Sequence, residues 1–300
     1  MPADLGLVDS RIVVHDRRGD LLPFSRGIMA TSLLATGITT EEAYRLASIM
    51  QARLLADDRR DVGVDELLDV ALTTLRDDAI GADVPDRWMA WRRAKRSGRP
   101  LVVVLGGAPG TGKSTLATRL AVRLGITRVV TTDAIREVLR VVIPPAVLPE
   151  LHASTFELVR HDSAAFVQFD RQSDAVIEAT GAVVDRLATE HRSMIVEGVH
   201  VTPGVLAERF ADHPARPIVV ERIVVVDEER HRTHLDGRSQ EEPLRGSDRY
   251  LEAFSALRAI QRHRVEQAGA ASVSVVDIHE ATELTQNIVD DIAGLVTSGS

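Results

Sequence analysis

The sequence is most informative in what it lacks. It contains no cysteine, which excludes a disulfide, a thiolate zinc site and a thiol nucleophile. Aromatic residues make up only 3% of the 300 residues. The longest apolar runs, such as residues 101–108, are far shorter than the roughly 20 residues that a transmembrane helix needs. A hydrophobic content of 44% is nevertheless enough to build a core, so we expect a folded protein.

Lysine is almost absent as well. Lys95 and Lys113 are the only lysines among 36 basic residues, so any chemistry that requires a lysine has two candidates. The net charge of −8 argues against general nucleic-acid binding. Because Asp4 and Asp9 replace the basic start of a signal peptide, we expect a cytoplasmic protein with no membrane or nucleic-acid partner.

The first 82 residues show the pattern of a small, mainly helical domain. Turn residues at 18–20 separate two β-prone segments, which predicts a hairpin. Helix-start signals at Ser25 and at Thr39 or Thr40 with Glu42, and an apolar stripe over 65–75, predict three helices. We therefore expect a hairpin of 11–15 and 21–24, followed by helices ending near residues 35, 55 and 75.

Residues 83–99 form a basic linker with both tryptophans, Trp88 and Trp91, and six basic side chains. We interpret the segment as an amphipathic helix with buried tryptophans. A nucleic-acid patch is the alternative, which two rings and a short run of charge support only weakly.

From residue 100 to 300 apolar strands alternate with helices. This alternation predicts an α/β domain, a parallel sheet with helices on both faces, whose ligands bind beyond the carboxyl ends of the strands. The predicted strands are 101–105, 128–131, 193–196, 218–226 and 272–276. The predicted helices are 113–124, 134–139, 164–191, 247–267 and 280–296.

A phosphate-binding loop follows the first of these strands. Residues 107–114 read Gly-Ala-Pro-Gly-Thr-Gly-Lys-Ser, which matches the Walker A motif between a strand and a helix. We expect its backbone amides and helix N-terminus to bind phosphate, Lys113 to contact the β- and γ-phosphates, and Ser114 to bind Mg²⁺. The predicted nucleotide-binding residues are Gly107, Ala108, Pro109, Gly110, Thr111, Gly112, Lys113, Ser114 and Thr115.

The next strand leads into Asp133, Arg136 and Arg140, which share one helical face. The Asp133 carboxylate could orient or deprotonate an acceptor hydroxyl, and the arginines could hold an anionic substrate group. The alternative is an aspartate that caps the helix beside two surface arginines.

A third strand ends in Glu197, Gly198 and His200. Glu197 is a candidate for Mg²⁺ binding or water orientation, and Gly198 would admit a substrate. His200 could donate to an anionic substrate, or it could be a structural histidine.

Residues 230–249 carry five arginines and two histidines, interrupted by Gly237, Pro243 and Gly246. We expect these breakers to prevent a continuous helix and to leave an arginine-bearing flap over ATP. Arg238 is the preferred transition-state residue and Arg245 the second. A solvated charged loop is the alternative, and His231 and His234 lack the neighbouring carboxylates of a metal site.

These motifs, in this order, resemble the 2-phosphoglycerate kinase family. The similarity lies in Gly-Gly-Ala-Pro-Gly-Thr-Gly-Lys-Ser at 106–114, Thr-Thr-Asp-Ala-Ile-Arg-Glu-Val-Leu-Arg at 131–140, Glu-Gly-Val-His-Val-Thr-Pro-Gly at 197–204 and Arg-Ala-Ile-Gln at 258–261. Residues 11–80, with Leu-Pro-Phe-Ser-Arg-Gly-Ile at 22–28, also resemble an ATP-cone.

The resemblance implies a P-loop kinase fold and ATP-dependent phosphorylation of 2-phosphoglycerate to 2,3-bisphosphoglycerate. Two alternatives remain open: a kinase for another small alcohol, sugar acid or nucleoside, and a regulatory module that binds nucleotide without transfer. The ATP-cone-like region suggests nucleotide sensing, and a packing domain fits it equally well. The sequence leaves the oligomeric state open.

Overall fold

The computed structural model describes residues 12–15, 20–78, 80–159, 165–241 and 253–298. Two compact units account for the chain. The first comprises residues 1–93 with 123–125, and the second comprises residues 94–122 with 126–300. No helix in the described ranges has the length and apolar character needed to cross a membrane.

In the described residues, the first unit combines a three-stranded sheet with three helices and most of the linker helix. The predicted hairpin is present, since β1 (Val13–His15) pairs antiparallel with β2 (Leu21–Pro23). A short strand that we did not predict, β3 (Asp61–Gly63), pairs parallel with the other side of β1. The helices are α1 (Arg26–Leu34), α2 (Thr40–Ala56) and α3 (Val64–Asp77).

Local capping explains where the first two helices begin. The Ser25 hydroxyl accepts from the Ile28 amide at 3.3 Å, and Thr39 and Glu42 form a capping box at the start of α2. The predicted linker helix is α4 (Val84–Arg96). Trp88 is fully buried in the helical core, with its indole nitrogen 3.2 Å from the Ser32 hydroxyl, and Trp91 is buried too.

The second unit contains a five-stranded sheet in which all neighbouring strands are parallel, in the order β5-β6-β4-β7-β8. This confirms the predicted parallel α/β sheet. The strands are β4 (Leu101–Gly106), β5 (Val129–Thr131), β6 (Met194–Gly198), β7 (Ile218–Val225) and β8 (Ser274–Asp277). Every residue of β4 and β6 is buried, as expected for central parallel strands.

Helices lie between these strands and after the last of them. They are α5 (Lys113–Leu124), α6 (Thr132–Val142), α7 (Thr155–Leu158), α8 (Ala165–Thr189), α9 (Val205–Phe210), α10 (Glu228–Glu241), α11 (Phe254–Ala270) and α12 (Ala281–Ser298). The single-turn α7 was not among the predicted helices. The start that we predicted for α11, at residue 247, lies outside the described residues.

Gly198 fixes how closely α6 approaches the end of β6. Its φ is +153°, and a Cβ atom built there would overlap the Thr132 hydroxyl and lie 2.8 Å from the Thr132 Cβ. We predicted that this glycine admits a substrate. Gly198 does line the cleft described below, and the neighbour that a side chain would meet is the first residue of α6.

Gly198→Ala is expected to destabilise the protein by about 2–5 kcal/mol, because the substitution adds backbone strain to overpacking. Urea unfolding followed by circular dichroism measures the change. Gly269→Ala is the matched control, since its Cβ would meet nothing within 4 Å inside α11, and it should stabilise by about 0.5–1 kcal/mol. Equal stability of Gly198→Ala and the wild type would contradict this packing argument.

Candidate active site

The phosphate-binding loop joins β4 to α5, as the motif predicted. Lys113 begins α5 and is 6% exposed. Its Nζ donates to the Ala108 carbonyl oxygen at 2.7 Å, and the same oxygen accepts from the Thr111 hydroxyl at 3.0 Å. The lysine cation therefore lies inside the loop, where the N-terminus of α5 adds further positive potential.

Ser114 and Glu197 bring a hydroxyl and a carboxylate together at the mouth of this loop. The Ser114 Oγ donates to the Glu197 Oε1 at 3.1 Å. Hydroxyl and carboxylate oxygens are ligand types that Mg²⁺ accepts. In the described ranges no group of three or more His, Asp or Glu side chains could hold a metal. A Mg²⁺ ion at Ser114 and Glu197 would thus need further ligands from nucleotide phosphates and water.

Asp133 stands in the first turn of α6, but it does not cap the helix. The capping residue is Thr131, whose hydroxyl accepts from the Ala134 amide at 3.2 Å. The Asp133 side chain is 75% exposed and lines a cleft. This geometry removes the capping alternative and leaves the carboxylate available for chemistry.

Arg136 forms part of the wall of the same cleft. Its Nη2 donates to the Ala153 carbonyl at 2.5 Å, and its side chain is 12% exposed. Burial lowers the pKa of the guanidinium, with the nearby Arg140 charge acting in the same direction. Its Nε has no hydrogen-bond partner among the described residues. An anion in the cleft would supply the missing negative charge.

Arg140, predicted to bind substrate, is turned elsewhere. Its Nη1 contacts both carboxylate oxygens of Glu137, at 2.9 and 3.0 Å. It does not line the cleft. The helical spacing that groups Arg140 with Asp133 and Arg136 is correct, but one further turn of α6 carries it past the cleft.

His200 is fully buried and lies behind the cleft wall. Its Nδ1 is 3.0 Å from the Thr132 hydroxyl, and its Nε2 is 3.2 Å from the Gln172 Oε1. Gln172 Nε2 donates to the carbonyls of Glu150 and Ala153, so its Oε1 faces the ring as an acceptor. The ring is therefore a donor at Nε2 and an acceptor at Nδ1.

Burial sets the charge state of His200. It lowers the pKa of the imidazole to about 3, and the positive charges of Arg136, Arg264 and Lys113 act in the same direction. A neutral ring with both nitrogens occupied favours the structural alternative over direct contact with an anionic substrate. Its Nδ1 accepts from the Thr132 hydroxyl and so fixes the residue that precedes Asp133 in α6.

The cleft has a volume of about 660 Å³ and joins the phosphate-binding loop to α6. Of the predicted site residues, its walls include Pro109, Gly110, Gly112, Lys113, Ser114, Asp133, Arg136 and Glu197. Gly107, Ala108, Thr111 and Thr115 belong to the loop or to α5 without lining the cleft. Ser154, Thr155 and Phe156, in and just before the single turn of α7, also line the cleft, and no sequence pattern pointed to them.

The predicted flap is helical over its first part. We predicted no continuous helix in 230–249, which is wrong up to Glu241, because α10 runs through Gly237. Asp227 accepts from the Arg230 amide at 3.0 Å, and buried His231 and Leu235 anchor the helix, outweighing a glycine cost of about 1 kcal/mol. The backbone of Arg238 lies in α10, and Arg245 lies outside the described residues.

Two residues of α11 hold the ends of β6 and β7, the strands on either side of β4. The Gln261 side chain bonds to both the amide and the carbonyl of Val226, just after β7. The fully buried Arg264 donates from Nε to the Val199 carbonyl at 3.2 Å and from Nη2 to the Ser173 hydroxyl at 2.6 Å. Burial lowers its pKa to about 10, so the guanidinium stays charged at neutral pH. Sequence reasoning missed Arg264, because nothing local marks a buried arginine.

Comparison with known proteins agrees with this geometry. The protein family described as "AAA domain" matches residues 102–211. A 2-phosphoglycerate kinase from Methanopyrus kandleri is 34% identical over 296 residues, covering 96% of this chain and 89% of that protein. A 2-phosphoglycerate kinase from Pyrococcus horikoshii is 33% identical over 280 residues, covering 90% of each.

A third relative, a 2-phosphoglycerate kinase from Pyrococcus furiosus, is 31% identical over 291 residues and covers 94% of this chain and 93% of that protein. The likeness to these relatives spans both units of the chain rather than the phosphate-binding loop alone. With its parallel sheet, its Walker A loop and these relatives, the chain belongs to the 2-phosphoglycerate kinase family and is a P-loop phosphotransferase.

Proposed function

We propose that this chain transfers the γ-phosphoryl group of ATP to the 3-hydroxyl of 2-phosphoglycerate, giving ADP and 2,3-bisphosphoglycerate. One observation carries the proposal: a single cleft joins the phosphate-binding loop to Asp133 and Arg136. The named activity of the relatives supplies the acceptor. In the reaction, the hydroxyl oxygen bonds to the γ-phosphorus while the bond to the β,γ-bridging oxygen breaks.

Lys113 and the loop amides bind the ATP phosphates in this mechanism. Lys113 Nζ presently donates to Ala108, and a bound phosphate offers it a stronger, charged acceptor. The cation then offsets the charge that accumulates on the transferring group and on the leaving ADP oxygen. Ser114 and Glu197 would hold Mg²⁺, which supplies charge neutralisation between the phosphates when it is bound.

Arg136 recognises the anionic acceptor. 2-Phosphoglycerate carries a phosphate and a carboxylate, and a guanidinium pairs with either through two parallel hydrogen bonds. The Nε of Arg136 is buried without a partner among the described residues, which favours an anion there. Arg136 and Arg140 both contact Glu137, and the Arg140 contact is the shorter one. Because Arg140 is the main partner of Glu137, the Arg136 guanidinium remains available to the acceptor.

Asp133 accepts the proton of the attacking hydroxyl. Its carboxylate is exposed to the cleft, and Thr131 rather than Asp133 caps α6. His200 is a positioning residue, because its Nδ1 accepts from the hydroxyl of Thr132, the residue that precedes Asp133. A neutral ring holds this position without competing for the proton.

The remaining assignments extend the same mechanism. Arg238 on α10 and Arg245 beyond it are proposed to contribute positive charge over the phosphates and to exclude water.

Residues 1–82 are proposed as an ATP-cone-like domain joined by the 83–99 helix to a kinase domain of 100–300. Because the reaction consumes ATP, we place it in the cytoplasm.

A panel of acceptors tests the function. The purified protein is incubated with ATP, Mg²⁺ and 2-phosphoglycerate, 3-phosphoglycerate, glycerate, gluconate or a nucleoside, and products are followed by phosphorus NMR. We expect 2,3-bisphosphoglycerate from 2-phosphoglycerate, and no product with Lys113→Ala, which excludes a contaminating kinase. Transfer only to another acceptor, or nucleotide binding with no transfer to any, would contradict the proposal.

Asp133→Asn is expected to reduce turnover by about 10²–10⁴-fold, because an amide cannot accept the hydroxyl proton. ADP affinity, measured by calorimetry, should stay within about twofold because other residues bind the phosphates. Asp212→Asn, which alters an exposed carboxylate after α9, is the control and should match the wild type. Near-wild-type turnover of Asp133→Asn would remove Asp133 as the base.

The buried imidazole of His200 makes stability depend on pH. Its pKa is about 3 when folded and near its ordinary 6.5 when unfolded, so the unfolded state binds more protons between these values. The stability of the neutral ring is therefore complete above pH 6.5 and is lost as pH falls below it.

Between pH 6.5 and 4.5 the wild type should lose up to about 1.4 kcal/mol of unfolding free energy per pH unit more than His200→Gln. Urea unfolding at each pH measures the difference. Between pH 7 and 8 the gap between the two proteins should stay constant, which provides an internal control. Parallel curves below pH 6.5 would mean that His200 is not the buried neutral group described above.

A further inference from the structure

Two histidines of α10 contact the backbone of the phosphate-binding loop. The Nε2 of His231 lies 2.7 Å from the Pro109 carbonyl oxygen, and the Nδ1 of His234 lies 3.1 Å from the Gly110 carbonyl oxygen. A carbonyl can only accept, so each ring nitrogen must carry the proton and donate. The sequence pattern suggested no function for this pair, because the partners are main-chain atoms more than 100 residues away.

Burial of the His231 ring at this position costs folding free energy. It is fully buried, and its Nδ1 has no hydrogen-bond partner among the described residues. Burial lowers the pKa of the imidazole, and the charges of Arg258 and Lys113 act in the same direction. Among the described residues, the hydrogen-bond partner of the neutral ring is the Pro109 carbonyl. An apolar side chain would fill the space without an unpaired nitrogen.

The surrounding packing aims the ring at the loop. Leu235, one turn after His231, belongs to the buried cluster that includes Ala108 and Phe254. Gly110 has φ of +85°, and a Cβ atom there would lie 2.8 Å from the Leu235 Cδ2 and 3.0 Å from the His231 Nε2. Helix α10 and the loop are therefore in direct contact at Gly110.

The chemical consequence follows from the planarity of the peptide bond. In a trans peptide the C=O and N–H groups point in opposite directions. When His231 holds the Pro109 carbonyl on the α10 side, the Gly110 N–H is turned away from α10, and Pro109 and Gly110 both line the cleft. A hydrogen bond to the carbonyl also polarises the peptide and makes its N–H a better donor.

We propose that His231 and His234 are positioning residues that hold the Pro109 and Gly110 carbonyls and thereby orient the Gly110 N–H of the phosphate-binding loop for the phosphates of a bound nucleotide. The Thr111 N–H, in contrast, donates to the Ala108 carbonyl within the loop. The proposal rests on the proposed function only for the nucleotide, not for the acceptor. Because the phosphates shared by ADP and ATP lie at the loop before and after transfer, the histidines strengthen binding in both states alike.

Variants that keep or remove the donor provide the test. His231→Gln keeps a donor near the Nε2 position and His231→Leu removes it, whereas His234→Asn keeps a donor near the Nδ1 position and His234→Ala removes it. ADP binding to the full chain is measured by calorimetry, and thermal melting checks that each variant folds. His213→Leu is the matched control, since His213 is a mostly buried histidine that contacts Asp185 away from the cleft.

We expect ADP to bind about three- to tenfold more weakly to each donor-removing variant, the range of one hydrogen bond. The Gln and Asn variants should bind within about twofold of the wild type, and His213→Leu should match it. In turnover assays the KM for ATP should rise while kcat stays within about twofold, since the lost binding is uniform.

Equal ADP affinity of the paired Leu and Gln variants, or of the paired Ala and Asn variants, would overturn the proposal, because packing alone would then explain the histidines. If the His231 variants fail to fold, the His234 pair, at a half-buried site, decides the question. ADP binding is independent of the acceptor. A failed acceptor panel together with the expected ADP shifts would therefore reject the proposed reaction and leave this inference standing.

Discussion

The register of three parallel strands is the constraint on which the site depends. Leu105 of β4 and Thr131 of β5 both pair with Glu197 of β6, so the three strands end at one level of the sheet. Beyond that level β4 leads into the phosphate-binding loop, β5 leads into α6, and Glu197 lies between them. The strand ends thereby bring the Lys113 cation, the Glu197 carboxylate and the Asp133 carboxylate to the same edge of the sheet.

The charges in the cleft are arranged around this level. Lys113 and Arg136 are mostly buried cations that both line the cleft, and both help to lower the pKa of the buried His200. Their field favours anions on both the nucleotide and the acceptor side, whereas Asp133 and Glu197 supply the carboxylates that proton transfer and a metal require. With only two lysines in the chain, we expect guanidinium groups to provide most of the cationic contacts to the acceptor.

The order of elements could be read from the sequence because it depends on local signals. Apolar strands, the Walker A spacing and the helix caps predicted the sheet and most of the helices to within a few residues, and α5 at both ends. The short β3 was missed because three residues carry no usable alternation, and α10 was missed because buried His231 and Leu235 outweigh the glycine within it.

Side-chain roles were harder to predict, because they depend on contacts between distant segments. The sequence placed Asp133 at a strand end but could not show that Thr131 takes the cap and leaves the carboxylate free for the cleft. It grouped Arg140 with Arg136, although α6 turns Arg140 towards Glu137. The burial of His200 and Arg264, likewise, follows from packing that no local pattern records.

A crystal structure with ADP, Mg²⁺ and 2-phosphoglycerate tests the central claim most directly, namely that nucleotide and acceptor meet in one cleft between the loop and α6. The account predicts the ADP phosphates at Gly110 and Lys113, an anionic group of the acceptor on Arg136, and the acceptor hydroxyl within hydrogen-bond distance of Asp133. An acceptor bound elsewhere, with its hydroxyl remote from Asp133 and from the loop, would contradict it.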